Sequence, residues 1–375
     1  EVLDLCLECK ACKSECPTNV DMARLKAEFL DQYHRKHGLP WRNWIFGNVA
    51  TLSSWGRRFP RLSQVLIRSG FGRWLNEKLF AIDSRRVPPA FSRDCFDDYF
   101  FERLEKWMAN KASKRAVLVF PDTFVEYYEP HVGRAAVDFL EGLGFHCEQA
   151  CREGYAGPAS WMRKVRCCGR PLISNGVLAK GVRFARHNVK ALYSWAAEGK
   201  PIMACEPSCL LTIRDDYPAL LRGEERRQAE VVAAACNTFE ELAESAIAEH
   251  ERQGTPVGFQ SGPKRILLQG HCHQRSLVGM QPTTRLLRRL PGAEVIDLDA
   301  GCCGMAGSFG YEKEHYEISR LVGEQRLFPA IRQADAETMI VAPGFSCRQQ
   351  IQHFTGRNAV HLAEALQGAK LAAPG

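Results

Sequence analysis

The strongest constraint on the fold is an internal repeat built on a rare tripeptide. Cys167-Cys168-Gly169 recurs as Cys302-Cys303-Gly304, and each copy is followed by a closing cysteine after a comparable interval. Cys209 lies 41 residues beyond Cys168 in Glu206-Pro-Ser-Cys209, and Cys347 lies 44 beyond Cys303 in Gly344-Phe-Ser-Cys347. Upstream of each pair a short apolar run ends in a turn, at Phe120-Pro-Asp122 and at Gln269-Gly-His-Cys272-His273. Two related lobes fused head to tail account for this pattern.

The texture between the motifs sets the fold class. Ala116–Phe120, Pro201–Ala204, Arg265–Leu268, Glu294–Leu298 and Thr338–Ala342 are short apolar runs that read as buried strands. Val132–Leu143, Ala179–Ala197 and His315–Ile331 carry helical spacing. Strands alternating with helices predict an α/β fold: two lobes of parallel sheet flanked by helices, with cysteine-bearing loops at the strand ends. The expected divisions are residues 1–36 for a small helical cluster-binding segment, 37–113 for a helical connector, 114–250 for the first lobe and 263–366 for the second.

The N-terminal segment carries the most legible chemistry. Cys6-x2-Cys9-x2-Cys12-x3-Cys16-Pro17 has the ligand spacing of a ferredoxin-type 4Fe-4S site, whose fourth cysteine ligates a different cluster in two-cluster ferredoxins. Cys16 is therefore expected to serve a cluster with ligands elsewhere. A zinc site calls for two separated ligand pairs and explains the Cys-Pro ending less well. Behind the run, Met22, Leu25, Phe29 and Leu30 lie at helical spacing within Val20–His34. Glu1 is not a start residue, so the chain reads as part of something longer.

In each lobe, adjacent cysteines reach one site only through a sharp turn, which the following glycine permits. Cys272, Cys302, Cys303 and Cys347 offer four thiolates from three loops, enough for a second iron–sulfur cluster, with zinc as the alternative. His271 and His273 flank the first of them, either to bind the cofactor or to tune it from outside its coordination sphere. The first lobe offers Cys167, Cys168 and Cys209, with Asp122 where the second lobe has Cys272 and with Cys205 or Glu206 as possible additions. That set reads equally as a metal site, a vestige or a redox thiol pair. Cys95, Cys147, Cys151 and Cys236 fit no ligand spacing and are expected to be structural.

Sixteen cysteines at metal-type spacings point to a reducing compartment and away from a disulfide framework. No apolar stretch reaches spanning length and no signal peptide is evident, so a cytoplasmic protein is expected, with peripheral contact at the inner face of a membrane. Formal net charge is +7. Much of that excess lies between Trp55 and Arg73, where arginines alternate with aromatics, as on a solvated face, a docking surface or an anion-binding surface. Nothing favours nucleic acid as a partner.

Several of these stretches together carry a resemblance: Cys9-Lys-Ala-Cys-Lys-Ser-Glu-Cys-Pro17, Phe120-Pro-Asp-Thr-Phe124, Cys167-Cys-Gly-Arg-Pro-Leu172, Glu206-Pro-Ser-Cys209, Gly301-Cys-Cys-Gly-Met-Ala-Gly-Ser-Phe-Gly310 and Gly344-Phe-Ser-Cys347-Arg. Paired Cys-Cys-Gly lobes resemble the CCG cysteine-rich domains of heterodisulfide reductase and of the iron–sulfur subunits of glycolate oxidase and anaerobic glycerol-3-phosphate dehydrogenase. From Glu1 to about Leu366 the chain is most similar to the C-terminal iron–sulfur half of FAD-linked oxidases of D-2-hydroxyacids such as D-lactate or D-2-hydroxyglutarate. That resemblance implies electron transfer from FAD, held in an N-terminal domain or a separate flavoprotein, to a quinone or another acceptor. It carries Cys6, Cys9, Cys12 and Cys16 over as ferredoxin ligands, and Cys272, Cys302, Cys303 and Cys347 as ligands of the second lobe. Asp122, Glu206 and Gly344 stand where the wider CCG pattern has cysteine. A heterodisulfide-reductase-like enzyme and a zinc-stabilised structural module are the rival expectations.

Overall fold

The computed structural model describes residues 2–103, 115–152 and 163–371. Two parallel sheets carry the repeat. In the first lobe β1 (Arg115–Val119), β2 (Phe145–Gln149), β5 (Ile202–Ala204) and β6 (Cys236–Thr238) are ordered β2-β1-β5-β6, every pair parallel. A two-stranded pair, β3 (Cys151–Arg152) with β4 (Lys164–Val165), flanks it. In the second lobe β7 (Arg265–Leu268), β8 (Glu294–Asp297) and β9 (Met339–Val341) are ordered β8-β7-β9, again parallel. Val360 bridges Val341 in parallel and occupies the place of a fourth strand, as β6 does beside β5.

The repeat extends to the helix caps. Thr238 begins helix Phe239–Arg252 with a capping box closed by Glu241, and His361 begins helix Leu362–Gly368 with one closed by Glu364. Val117, Leu118, Val119 and Phe120 are all buried, as a strand covered on both faces requires. One apolar cluster runs from Val117, Phe139 and Phe239 of the first lobe into Ile266, Leu286 and Leu366 of the second, so the lobes share a core.

The strand and helix expectations stand, with instructive shifts. The helix expected over His315–Ile331 is two, Tyr316–Glu324 and Leu327–Gln333. Pro329 has no N–H to donate back to Gln325, and Arg326 leaves the helical region at φ −146. Strand β2 escapes a reading by apolar runs because it buries polar residues, His146 and Gln149, at the sheet edge. Helix Met22–His37 follows the N-terminal cysteines, and short helices joined by turns fill Trp41–Phe80. The end of the expected connector, residues 104–113, lies outside the described residues. Among the described residues no helix is long and apolar enough to cross a membrane.

Candidate metal centre

Both Cys-Cys-Gly steps turn on a glycine in the left-handed region, Gly169 at φ 84 and Gly304 at φ 90. At Gly304 the need is steric as well, because a Cβ there would meet the Ser319 carbonyl oxygen at 2.2 Å. The Gly304 N–H points at Cys302 Sγ, 3.4 Å away. The turns bring the thiols into two chains of sulfur hydrogen bonds, Cys167–Cys168–Cys209 in the first lobe and Cys272–Cys302–Cys303–Cys347 in the second. All sixteen cysteines are free thiols.

Strand register corrects one expected equivalence. Phe120 N–H donates to Met203 and Gln269 N–H donates to Val341, so Phe120 matches Gln269 and Asp122 matches His271. Both begin a helix, Thr123–Tyr127 and Cys272–Leu277 respectively. The residue standing where the second lobe has Cys272 is therefore Thr123, one position beyond Asp122. Thr123 Oγ1 lies 3.7 Å from Cys167 Sγ, in the place of the Cys272–Cys302 contact. Asp122 spends its carboxylate on the N–H groups of Phe124, Val125 and Glu206, at 2.9, 3.0 and 3.2 Å. Burial and the nearby Glu206 push it up to about 6.

Glu206 and Gly344 occupy equivalent positions, each capping the helix that presents the closing cysteine. Glu206 is fully buried and crosses between lobes: Oε2 accepts the Phe345 N–H at 2.8 Å, and Oε1 accepts the Ser208 hydroxyl at 2.7 Å. His271 packs on Gly344 so closely that a Cβ there would lie 2.3 Å from Cδ2. Its Nδ1 accepts the His273 N–H and its Nε2 lies 3.7 Å from Glu206 Oε1. His273 Nε2 contacts the Glu8 carbonyl at 2.8 Å. Burial, with Arg170 and Arg348 nearby, holds His271 down at about 3, so both residues face the site as neutral rings engaged by protein partners.

The N-terminal cysteine loop docks where the lobes meet. Glu8 and Lys10, on either side of Cys9, hold left-handed backbone at φ 53 and 62, a strained geometry for residues with a Cβ. Buried ion pairs hold it: Lys10 reaches Asp215 at 2.6 Å as well as Asp216 and Asp21, and Glu8 pairs with Arg170 at 2.9 Å. Arg170 is the residue that follows Cys167-Cys168-Gly169. On the other side Ser276 Oγ donates to the Cys9 carbonyl at 3.2 Å, and the Cys9 thiol feels Cys272 and Cys12. Cys16 turns outward to Thr18 at 3.1 Å, and that hydrogen bond lowers its thiol. Lys10, Arg170 and Thr123 were not singled out from sequence; the positions of Lys10 inside the cysteine run and Arg170 beside the Cys-Cys-Gly step were the available signals.

The donor set decides what these sites suit. Hydrogen bonding to Cys168 and burial push Cys167 well up, and hydrogen bonding to Cys302 and burial do the same for Cys272. Such thiols release their protons only to a compensating cation. Among the described residues, the groups of three with ligand atoms all within 4.8 Å of one another are Asp21, Asp215, Asp216 and Glu312, Glu314, His315; neither contains a cysteine. The Lys10 ammonium already fills the first. A tetrahedral zinc site holds its sulfurs about 3.8 Å apart, and the thiols of the second lobe, as they stand, match neither that nor a four-cysteine 4Fe-4S site. Cys95, Cys147, Cys151 and Cys236 are buried away from these chains, with Cys147 and Cys236 in the sheet cores.

A model of the cysteine-rich domain CCG matches residues 158–214 and 266–352. The chain is 26% identical over 335 residues to a subunit of the anaerobic glycerol-3-phosphate dehydrogenase of Escherichia coli, covering 87% of this chain and 77% of that protein. To the D-2-hydroxyglutarate dehydrogenase of Escherichia coli it is 28% identical over 375 residues, covering 98% of this chain but 34% of that protein. To lactate utilization protein A of Geobacillus thermodenitrificans it is 26% identical over 258 residues, covering 67% and 98%. The chain thus spans about a third of the D-2-hydroxyglutarate dehydrogenase it matches. It is homologous, at the level of the general family, to these CCG-domain proteins and dehydrogenases.

Proposed function

We propose that the chain is the iron–sulfur electron-transfer module of a FAD-linked D-2-hydroxyacid dehydrogenase, passing electrons from flavin to a quinone or another acceptor. The observation that carries this reading is the docking of the N-terminal cysteine loop between the two Cys-Cys-Gly sites, which sets Cys9 beside Cys272. Cys6, Cys9 and Cys12 would hold a 4Fe-4S cluster, with Cys16 turned toward ligands outside this set. Cys272, Cys302, Cys303 and Cys347, four thiols brought together from three loops, would hold a second cluster. In the first lobe Cys167, Cys168 and Cys209 are three thiols with Thr123 in the fourth place, a set suited to weaker metal binding. Bound clusters supply one-electron steps at low reorganisation. The protein buries Cys303 and Cys347 and leaves Cys272 and Cys302 half-buried, aims the Gly304 N–H at Cys302 Sγ, and places neutral His271 and His273 beside Cys272 as tuning rather than ligating groups.

The flavin belongs to a partner in this reading, as an N-terminal FAD domain of the same polypeptide or a separate flavoprotein. The glycerol-3-phosphate dehydrogenase subunit of Escherichia coli, matched over most of its length, supports the separate arrangement, and the D-2-hydroxyglutarate dehydrogenases support the fused one. The test is iron and sulfide analysis with electron spin resonance on protein purified without oxygen. Iron, with a signal lost in Cys302→Ser and Cys303→Ser, is expected. Stoichiometric zinc without iron in the second lobe would overturn the reading there.

A further inference from the structure

Helices Val49–Arg58, Pro60–Arg68 and Gly70–Phe80 turn their apolar side chains outward. Helix Pro60–Arg68 buries no residue at all, although Leu62, Val65 and Leu66 form an apolar stripe along it. Phe59 is 69% exposed and Phe71 is 72% exposed, and Trp55 and Trp74 flank them, also exposed. An apolar surface of this extent on a folded chain marks a docking face.

Its charge says what covers it. From Gln32 to Asn76 the sequence holds eight lysines and arginines and not one aspartate or glutamate, while the whole chain carries a net +7. That single segment, at +8, exceeds the net charge of the whole chain. Arg61 and Arg68 lie on the helix that carries the apolar stripe and Arg58 ends the helix before it, and among the described residues none of them has a carboxylate at ion-pair distance. A protein partner ordinarily answers a surface with charges of both signs. Glu77 on helix Gly70–Phe80 is taken up by Lys313 at 2.8 Å and Asp98 by Arg57 at 3.0 Å, so the charges left over among the exposed tryptophans and phenylalanines are arginines, which matches a plane of anionic headgroups over acyl chains. The helices are too short to span a bilayer and lie side by side, the arrangement of an interfacial anchor.

We propose that this face docks the protein on anionic phospholipid, with Phe59, Leu62, Leu66 and Phe71 entering the headgroup boundary and Arg58, Arg61 and Arg68 on phosphate. As an exit toward a membrane quinone the surface rests on the electron-transfer reading; lipid binding itself is measured without donor or acceptor, so the two fail separately. The test is flotation of the full chain with vesicles of phosphatidylcholine alone or of phosphatidylcholine rich in phosphatidylglycerol. The wild type is expected to float with the anionic vesicles, and to be released by salt. Arg58→Gln/Arg61→Gln/Arg68→Gln should weaken binding roughly a hundredfold. Leu62→Ser/Leu66→Ser should weaken it at unchanged charge, and both variants should melt like wild type because Arg58, Arg61, Leu62 and Leu66 are exposed and Arg68 is half-buried with no carboxylate at ion-pair distance among the described residues. Absence of flotation at low salt would overturn the proposal, as would flotation indifferent to both sets of substitutions. A chain that ignores vesicles but dimerises, with the leucine variant restoring the monomer, would assign the face to a second copy and overturn it too.

Discussion

The Glu206 carboxylate of the first lobe accepts the backbone N–H of Phe345 in the second at 2.8 Å, two residues before Cys347. Glu206 stands at the position equivalent to Gly344, so a repeat position of one lobe has become a clasp on the other. A fully buried carboxylate with three donors loses more by truncation than by neutral substitution. Glu206→Ala is expected to lower unfolding free energy by about 2 to 3 kcal/mol, and Glu206→Gln by less. Denaturant titration of both variants checks this; equal stability of the alanine variant and wild type would contradict it.

His271 and Gly344 form a matched pair, since the imidazole fills the volume that a side chain at 344 would take. Gly344→Ala should cost about 1 to 3 kcal/mol through overpacking. His271→Ala opens that space, so the double variant should be more stable than the sum of the single losses implies. Additive losses in a double-mutant cycle would show that the two residues do not compete for one volume.

Lys10 is the cation on which three carboxylates converge, Asp21, Asp215 and Asp216. Lys10→Met removes the most buried of the cations there and leaves the carboxylates to Lys13, Arg24 and Arg170, which should cost about 3 kcal/mol of loop docking. Limited proteolysis within the first twenty residues should then precede cleavage of the lobes. Equal resistance of variant and wild type would argue against Lys10 as the anchor.

Acid should release the same loop. Burial opposes ionisation of Asp215, yet Lys10, Lys13 and Arg24 hold it at about 2, below its ordinary 3.8. A depressed carboxylate contributes stability above its unfolded value and loses it as pH falls toward the folded one. Docking is therefore expected to weaken between about pH 4 and pH 2. Asp215→Asn should flatten that part of the profile in proteolysis or hydrogen exchange.

Glu240 has the opposite sign. Burial pushes it up to about 7 from an ordinary 4.5, and one of its oxygens has no hydrogen-bond partner. In that interval the folded state binds the extra proton, so stability falls as pH rises from about 4.5 to about 7 and the loss is complete above that. Glu240→Gln should raise the melting temperature at pH 8 and little at pH 4. A variant that melts like wild type at both pH values would refute this.

The parts of this molecule legible in the sequence are those that depend on near neighbours along the chain. Apolar runs such as Arg265–Leu268 coincide with a strand because a sheet covered on both faces needs uninterrupted apolar residues. The grouping of Cys6, Cys9, Cys12 and Cys16 is equally local, and the cluster proposed there would need several thiolates on one short loop. Strand β2 stayed hidden, since its buried His146 and Gln149 find their partners only in the folded chain.

The repeated Cys-Cys-Gly steps, with their closing cysteines, determined by sequence alone that there are two α/β lobes and which sulfurs each offers. Only the tertiary structure decided the register that puts Thr123, and not Asp122, opposite Cys272, because register is set by hydrogen bonds to β5 and β9, strands far along the chain. It alone decided that the N-terminal loop lies between the lobes. That placement depends on Lys10 meeting Asp215 and Asp216, charges about two hundred residues away that become neighbours only when burial leaves each without water.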